Sequence, residues 1–214
     1  DDHGQFLNQY DHIECNLAEH LMVLYWIGEI GLNDSLILRF WDNAPESLRE
    51  YALQFMGFSL KHTEGDIPTQ VLERFKDIWE FRYKIVSESN RDSNELRSFS
   101  WWFLSDKFDD TWKLAQFEKA LNLTEDFRLG LLVAEKLAKL SSDMPLESLK
   151  CLDLIIRKTK NKSRIHIWRK SAEITLVNAL NSEDPESRLL AKNLINYLCS
   201  IRYLEFRCLL KADS

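Results

Sequence analysis

Apolar residues recur along this chain with the spacing of one helix face after another. In the last long segment they fall at i, i+3, i+4 and i+7, on a single stripe of a helix: Ala191, Leu194, Ile195 and Leu198. No stretch alternates apolar and polar residues for long enough to predict a strand. The pattern predicts helices at roughly 12–30, 35–42, 45–61, 68–88, 94–104, 110–121, 125–140, 145–159, 163–181 and 185–199, with a shorter one near 203–211.

One of these predicted helices, 163–181, is apolar on two sides. Its first face carries Ile165, Trp168, Ala172, Leu176 and Ala179. Its other side carries Ile167, Ile174 and Val177. A helix with two apolar sides must be covered on both, which is expected inside a stack of helices rather than at the surface of a small bundle.

Prolines mark the helix starts. Pro45, Pro68, Pro145 and Pro185 all stand where a first helical turn begins, a position that suits proline because its missing N–H would be unpaired there. Asp184, just before Pro185, is a candidate N-cap. Gly (6) and Pro (4) are otherwise scarce, so tight turns are few. We therefore predict an all-α chain of about ten helices, arranged as stacked antiparallel helical hairpins.

Two of the helix starts, Pro145 and Pro185, lie 40 residues apart and enclose two helices. That is the period of a HEAT-type hairpin repeat. The segment from Asp184 to Leu194 resembles the second helix of such repeats, in which an Asp, an Arg, an Ala and a Leu recur at set intervals. The resemblance implies a HEAT-like α-solenoid: one repeat domain over 1–214, with a divergent part (1–92) and a better-matched part (93–214).

A second resemblance covers roughly residues 96–210. Its motifs are Trp102-Phe103-Leu104-Ser105-Asp106-Lys107-Phe108-Asp109-Asp110-Thr111-Trp112, then Leu194-Ile195-Asn196-Tyr197-Leu198 and Tyr203-Leu204-Glu205-Phe206-Arg207. They resemble the carboxy-terminal helical region of large bacterial multidomain proteins, which carry a sirtuin-like or NTPase domain upstream and are linked with phage defence. The resemblance implies an accessory role, as sensor or scaffold, and carries over no catalytic residue. Because the chain begins at Asp1, we expect a fragment of a longer protein.

Charge is distributed unevenly. The formal net charge of −6 argues against a surface dedicated to nucleic acid. Residues 1–100 carry 18 acids and 9 bases, whereas residues 157–170 carry seven bases and no acid. We call these seven the basic zone: Arg157, Lys158, Lys160, Lys162, Arg164, Arg169 and Lys170. Cations are favoured at a helix C-terminus but not at a helix start, where Arg164 stands. The basic zone is therefore a candidate site for an acidic partner or a nucleic-acid backbone, the alternative being a solvated turn.

Catalytic and cofactor motifs are absent from the sequence. It has no glycine-rich phosphate loop, no Gly-x-Ser-x-Gly, no His-Glu-x-x-His and no Cys-x-x-Cys. The nearest approach to a metal set is His12, Cys15, Glu19 and His20. That set lacks the two-plus-two ligand pattern of structural zinc, and we predict no metal and no cofactor. The adjacent Trp101 and Trp102 are predicted to fill gaps between hairpins, with a partner contact through an exposed ring as the alternative.

These observations leave three classes of function. We favour a non-catalytic protein–protein interaction module, which binds a protein partner or other domains of the same polypeptide. The runner-up is nucleic-acid or anion binding through the basic zone, since the predicted fold also resembles the HEAT-like DNA glycosylases, which hold DNA in a basic groove. An enzyme is the third class, for which no acid–base pair stands at diagnostic spacing. Scattered cysteines predict a reducing, cytoplasmic location, and no apolar run approaches the ~20 residues of a membrane span.

Overall fold

A computed structural model of the chain describes residues 12–89, 94–124 and 127–211. Within these ranges it contains ten α-helices and three 3₁₀ helices and no strand, so the prediction of an all-α fold is confirmed. The α-helices are α1 (His12–Ile27), α2 (Ser35–Asn43), α3 (Glu46–His62), α4 (Thr69–Ser89), α5 (Phe99–Leu104), α6 (Asp110–Leu123), α7 (Gly130–Leu140), α8 (Pro145–Lys158), α9 (Ile165–Leu180) and α10 (Pro185–Ser200). The 3₁₀ helices are Glu95–Ser98, Lys162–Arg164 and Leu204–Lys211.

The helices fall into two compact units. Of the described residues, 12–109 with 123 and 124 form unit 1, and 110–122 with 127–211 form unit 2. The boundary follows Asp109, so each unit contains its own set of packed helices. That the two units belong to a single repeat domain, as the sequence leads us to expect, stays a prediction.

Unit 1 is organised around α3. This helix contacts α1 on one side, and α5 and the 3₁₀ helix Glu95–Ser98 on another. Aromatic rings fill the core, because α1, α3, α4 and α5 each contribute at least one large ring. Trp26 stacks on Phe55 and Phe75 at 5.6 and 5.2 Å, and Trp102 meets Phe75 at 5.5 Å and Trp79 at 5.7 Å. The core of unit 1 is thus a continuous aromatic cluster.

A glycine lets α3 and α5 approach closely. A Cβ added at Gly57 would lie 2.4 Å from Cδ1 of Trp102 and 2.9 Å from Cβ of Trp101. The Trp102 indole is fully buried, and its N–H donates to the carbonyl of Leu53, one turn before Gly57, at 2.8 Å. Packing and hydrogen bonding together therefore hold the indole against the bare backbone of α3.

Unit 1 also contains a buried ionic triad. The Glu95 side chain is fully buried and accepts from Arg49 Nε at 2.6 Å and from Arg82 Nε at 3.0 Å. Burial lowers the pKa of Arg82, and the adjacent Glu95 carboxylate opposes that shift. The Arg82 guanidinium also lies 4.9 Å from the centroid of the Trp41 ring. This Arg49–Glu95–Arg82 triad ties α3, α4 and the 3₁₀ helix Glu95–Ser98 together.

Unit 2 contains α6 to α10. Helix α9 contacts α7, α8 and α10, and α8 also contacts α7 and α10. The sequence-predicted stripe of α10 is confirmed, since its members are all fully buried: Ala191, Leu194, Ile195 and Leu198. The first face of α9 is confirmed too, because each of its five residues is buried.

The prediction that the second apolar face of α9 is covered is wrong. Ile167 is 61% exposed and Ile174 is 42% exposed, so this side is open in the described residues and not covered as predicted. Apolar periodicity identified both stripes. It carried no information on which of the two another element would cover.

With 3₁₀ turns counted as helix, most predicted helix boundaries agree with the structure to within two residues, and two differ by more. Helix α1 ends at Ile27 instead of continuing to residue 30, because Gly28 adopts φ +93° and forms a Schellman cap. In this cap the N–H of Glu29 donates to the carbonyl of Leu24 at 3.0 Å. The start of the helix predicted at 125–140 falls on residues 125 and 126, which lie outside the described residues, and α7 begins at Gly130, after Leu129 with φ +57°. A Cβ at Gly130 would lie 3.1 Å from the Trp168 ring, so this helix start is also sterically tight.

The local start signals are confirmed. Pro145 and Pro185 open α8 and α10, and Pro45 and Pro68 immediately precede α3 and α4. Asp184 caps α10 by accepting from the N–H groups of Glu186 at 3.1 Å and Ser187 at 3.0 Å. The short helix predicted near 203–211 is present as a 3₁₀ helix.

Candidate functional site

The basic zone lies in unit 2, where two of its seven cations bind the protein's own backbone. Lys158 Nζ donates to the carbonyls of Leu121 and Asn122 at 2.5 and 2.9 Å, at the C-terminal end of α6. Lys162 Nζ donates to the carbonyls of Ile156 and Arg157 at 2.8 and 2.9 Å, at the end of α8. Both lysines therefore neutralise carbonyl ends of helices, which is a structural role for a cation.

Arg157 is also engaged. Its Nε donates to both carboxylate oxygens of Asp153 at 2.8 Å, and this hydrogen bond raises the pKa of Arg157. Its guanidinium stacks 4.6 Å from the centroid of the Tyr197 ring. The positive charge is thus already offset by a carboxylate one turn away.

The remaining cations of the basic zone face solvent. Lys160, Arg164, Arg169 and Lys170 are exposed. No side-chain hydrogen bond or salt bridge is found for Arg164, Arg169 or Lys170 among the residues that the structure describes. Lys170 shares a shallow cavity of about 410 Å³ with Glu173, so an acid stands beside it. The surface that remains for an anion is therefore small and mixed in charge.

A larger uniform feature lies on α1 in unit 1. Four aliphatic side chains point outward along this helix: Ile13 (71% exposed), Leu17 (68%), Leu24 (40%) and Ile27 (57%). The opposite side of α1 is buried against the rest of unit 1 through Cys15, Ala18, Met22 and Tyr25. Helix α1 is therefore apolar on two opposite faces, one inside the fold and one in solvent. We call the exposed face the α1 seam: Ile13, Leu17, His20, Leu24 and Ile27.

A small apolar cavity adjoins the end of the α1 seam. It has a volume of about 280 Å³ and is lined by Trp26, Ile27, Leu60, Val71 and Phe75 among others. Trp26 forms its floor, since that ring is already stacked between Phe55 and Phe75. The cavity extends the apolar surface of α1 toward α3 and α4.

Three of the four side chains considered for metal binding, those of Cys15, Glu19 and His20, are accounted for by burial or by hydrogen bonds. Cys15 is buried in the core side of α1, and burial raises the pKa of its thiol. Glu19 accepts a hydrogen bond from the Tyr51 hydroxyl, and Nδ1 of His20 lies 2.7 Å from the Asn16 carbonyl oxygen. No group of three or more His, Cys, Asp or Glu residues is placed to hold a metal ion in the described part of the chain.

Both adjacent tryptophans are core residues. Trp101 is 7% exposed and Trp102 is fully buried, so the predicted gap-filling role is confirmed and neither ring is available to a partner. Trp101 packs edge-on against Phe58 at 5.2 Å between ring centroids. The two side chains therefore stabilise unit 1 and belong to no docking surface.

Comparisons with models of protein families, with curated proteins and with solved structures give no match for this chain. Over the described ranges, none of the helices combines the length and the apolar character that crossing a bilayer requires. The four cysteines are free thiols. The site must therefore be interpreted from its own residues.

The α1 seam is the feature that the functional reading of the sequence missed. Its signal was present, because Ile13, Leu17, Leu24 and Ile27 share one stripe of the helix. The same helix carries a second stripe, and periodicity does not tell which of two stripes faces the core.

Proposed function

We propose that this chain is a non-catalytic protein–protein interaction module that docks a protein through the α1 seam. The observation that supports this is the row of four exposed aliphatic side chains on one helix of unit 1. Scattered apolar residues are ordinary on a protein surface, but a contiguous row of them is typical of an interaction site. Amphipathic grooves and helices that bind partners use anchors with this spacing.

The wider role follows the resemblances found in the sequence. In this proposal the module is a scaffold or sensor within a longer bacterial multidomain protein, in the cytoplasm. The hairpins α7–α8 and α9–α10 contribute to a HEAT-like stack, and the contacts of α7 with α9 and of α8 with α10 support that arrangement within unit 2. The bound protein is a separate partner or another domain of the same polypeptide.

Site-specific photo-crosslinking tests the docking role. A benzophenone amino acid replaces Leu17 in the full-length protein expressed in its native cells. The same replacement at Leu189 is the matched control. Leu189 is also a leucine on a helix and is 61% exposed, against 68% for Leu17, but it lies on α10. We expect a discrete protein adduct at position 17 that is lost when Leu24 is replaced by Glu. Equal labelling at positions 17 and 189 would contradict the proposal.

Anion binding is a second candidate, because Arg164, Arg169 and Lys170 are exposed on the side of unit 2 that carries the start of α9. Its test is fluorescence anisotropy with a labelled DNA duplex at ~50 mM salt, where backbone contacts are strongest. In this alternative, replacing the three cations by Gln weakens binding, whereas Lys158→Gln mainly lowers stability. Absence of binding at that salt concentration eliminates this candidate.

A further inference from the structure

The α1 seam has the spacing of a coiled-coil interface. Ile13, Leu17, His20, Leu24 and Ile27 follow one another at intervals of four, three, four and three residues. At 100° per residue these positions lie within about 80° of one another around the helix. Such a narrow stripe fits a second helix lying alongside it.

The stripe is also nearly symmetric about His20, with an offset of one residue at the two leucines. Ile13 and Ile27 lie seven residues before and after it, and Leu17 and Leu24 lie three before and four after. If an identical helix lies antiparallel with the dyad at His20, each Ile13 meets the partner's Ile27 and each Leu17 meets the partner's Leu24. An isologous two-fold interface needs this self-complementarity, because the same patch serves on both sides.

Charge favours the antiparallel orientation. Helix α1 contains no Lys or Arg, and its acids are Glu14 beside the seam and Glu19, whose carboxylate accepts from Tyr51. A parallel pair would place the two Glu14 side chains together and align the helix dipoles. In the antiparallel pair the two Glu14 residues lie about 18 Å apart along the helix axis, and the two helix dipoles point in opposite directions.

We infer that the α1 seam binds a second copy of this chain, with the two α1 helices antiparallel and the two-fold axis at His20. This rests on the proposed function and names the partner of that docking site. The exposed aliphatic fractions amount to about 300 Å² of apolar surface per copy. Such an interface is smaller than a standard one, so the dimer is weak, with a Kd on the order of 10⁻⁵ M.

Disulfide mapping on the full chain tests both partner and register. The background carries Cys199→Ser and Cys208→Ser, because Cys208 is exposed and Cys199 half-buried, while the buried Cys15 and Cys151 are kept. Under mild oxidation, His20→Cys is expected to give a covalent dimer, since that position faces itself across the dyad. A mixture of Ile13→Cys and Ile27→Cys chains is expected to give the mixed dimer, and Ile13→Cys alone to stay monomeric. The control Glu135→Cys, exposed on α7, is expected to stay monomeric too.

Sedimentation equilibrium gives the second readout. We expect Leu17→Glu to weaken the dimer at least tenfold and the matched Leu189→Glu to leave it unchanged. A covalent dimer of Ile13→Cys alone would overturn the antiparallel register, and a monomer at every concentration up to ~1 mM with no His20→Cys disulfide would overturn self-pairing. If self-pairing fails while the position-17 photo-adduct persists, the docking role stands and its occupant is another protein.

Discussion

The close approach of α3 and α5 yields a sharp prediction, because Gly57→Ala should destabilise unit 1. The added methyl group would lie 2.4 Å from Cδ1 and 2.8 Å from Nε1 of Trp102. Neither atom can withdraw easily, because the indole is fully buried and donates to Leu53 at 2.8 Å. Forcing atoms into a packed core costs about 1–3 kcal/mol, and disturbing the indole hydrogen bond adds about 1 kcal/mol. Alanine returns about 1 kcal/mol through its helix propensity, leaving a net loss of about 2 kcal/mol.

Urea unfolding followed by tryptophan fluorescence measures this loss, since five of the seven tryptophans lie in unit 1. Gly31→Ala is the control, because no atom lies within 4 Å of its added Cβ. We expect that control to stay within about 0.5 kcal/mol of the parent. In a Trp102→Phe background the cost of Gly57→Ala should shrink by about 1 kcal/mol, since phenylalanine lacks Nε1 and the hydrogen bond to Leu53 that the added methyl group would disturb. An unchanged or increased stability of Gly57→Ala, or an equal cost in both backgrounds, would refute this account of the contact.

Three further predictions concern charges and caps. Glu95→Gln removes the carboxylate between two arginines and should lower the free energy of unfolding of unit 1, measured in urea, by about 3 kcal/mol. The control Glu73→Gln, on the exposed side of α4, should change this free energy by less than about 0.5 kcal/mol. Asp184→Ala should lower the free energy of unfolding by about 1 kcal/mol through loss of the α10 cap, and Asp184→Ser should restore most of it; no loss on Asp184→Ala would contradict the capping role. Burial, then Glu73 and Glu80, raise the pKa of Asp77 above 3.8, so its ionised form disfavours folding at neutral pH. Asp77 is exposed, so solvent screens these interactions, and Asp77→Asn should stabilise the chain at pH 7 by no more than a few tenths of a kcal/mol. This gain should vanish below the unfolded pKa of 3.8, which a pH series of urea curves would measure.

The sequence predicted best those features that depend on a few neighbouring residues. Pro145, Pro185 and Asp184 act through their own backbone geometry and their own hydrogen bonds, so their positions at helix starts could be read directly. The end of α1 was missed by three residues, although Gly28 was visible in the sequence. The sequence alone does not show whether an isolated glycine within an apolar run adopts a positive φ, because this depends on the turn that follows it.

Features that depend on distant contacts were not predictable in the same way. Nothing around Glu95 in the sequence pairs it with Arg49, 46 residues earlier, and the triad is formed only by tertiary packing. The two stripes of α9 looked equally apolar, yet Ile165 is fully buried and Ile167 is 61% exposed. The basic zone is visible in the sequence as a run of cations, but only coordinates locate the carbonyls that Lys158 and Lys162 bind.

The Arg49–Glu95–Arg82 triad has a consequence for how unit 1 acquires its structure. Its members come from three separate stretches of chain, and an intermediate in which α3 and α4 pack before the 3₁₀ helix Glu95–Ser98 brings two guanidinium groups together without their shared carboxylate. Partly assembled species are thereby penalised, and unit 1 is expected to form in a single cooperative transition. A polypeptide truncated after Ser89 would retain both guanidinium groups without their shared counter-ion, and it should remain largely unstructured even though it contains all of α1 to α4.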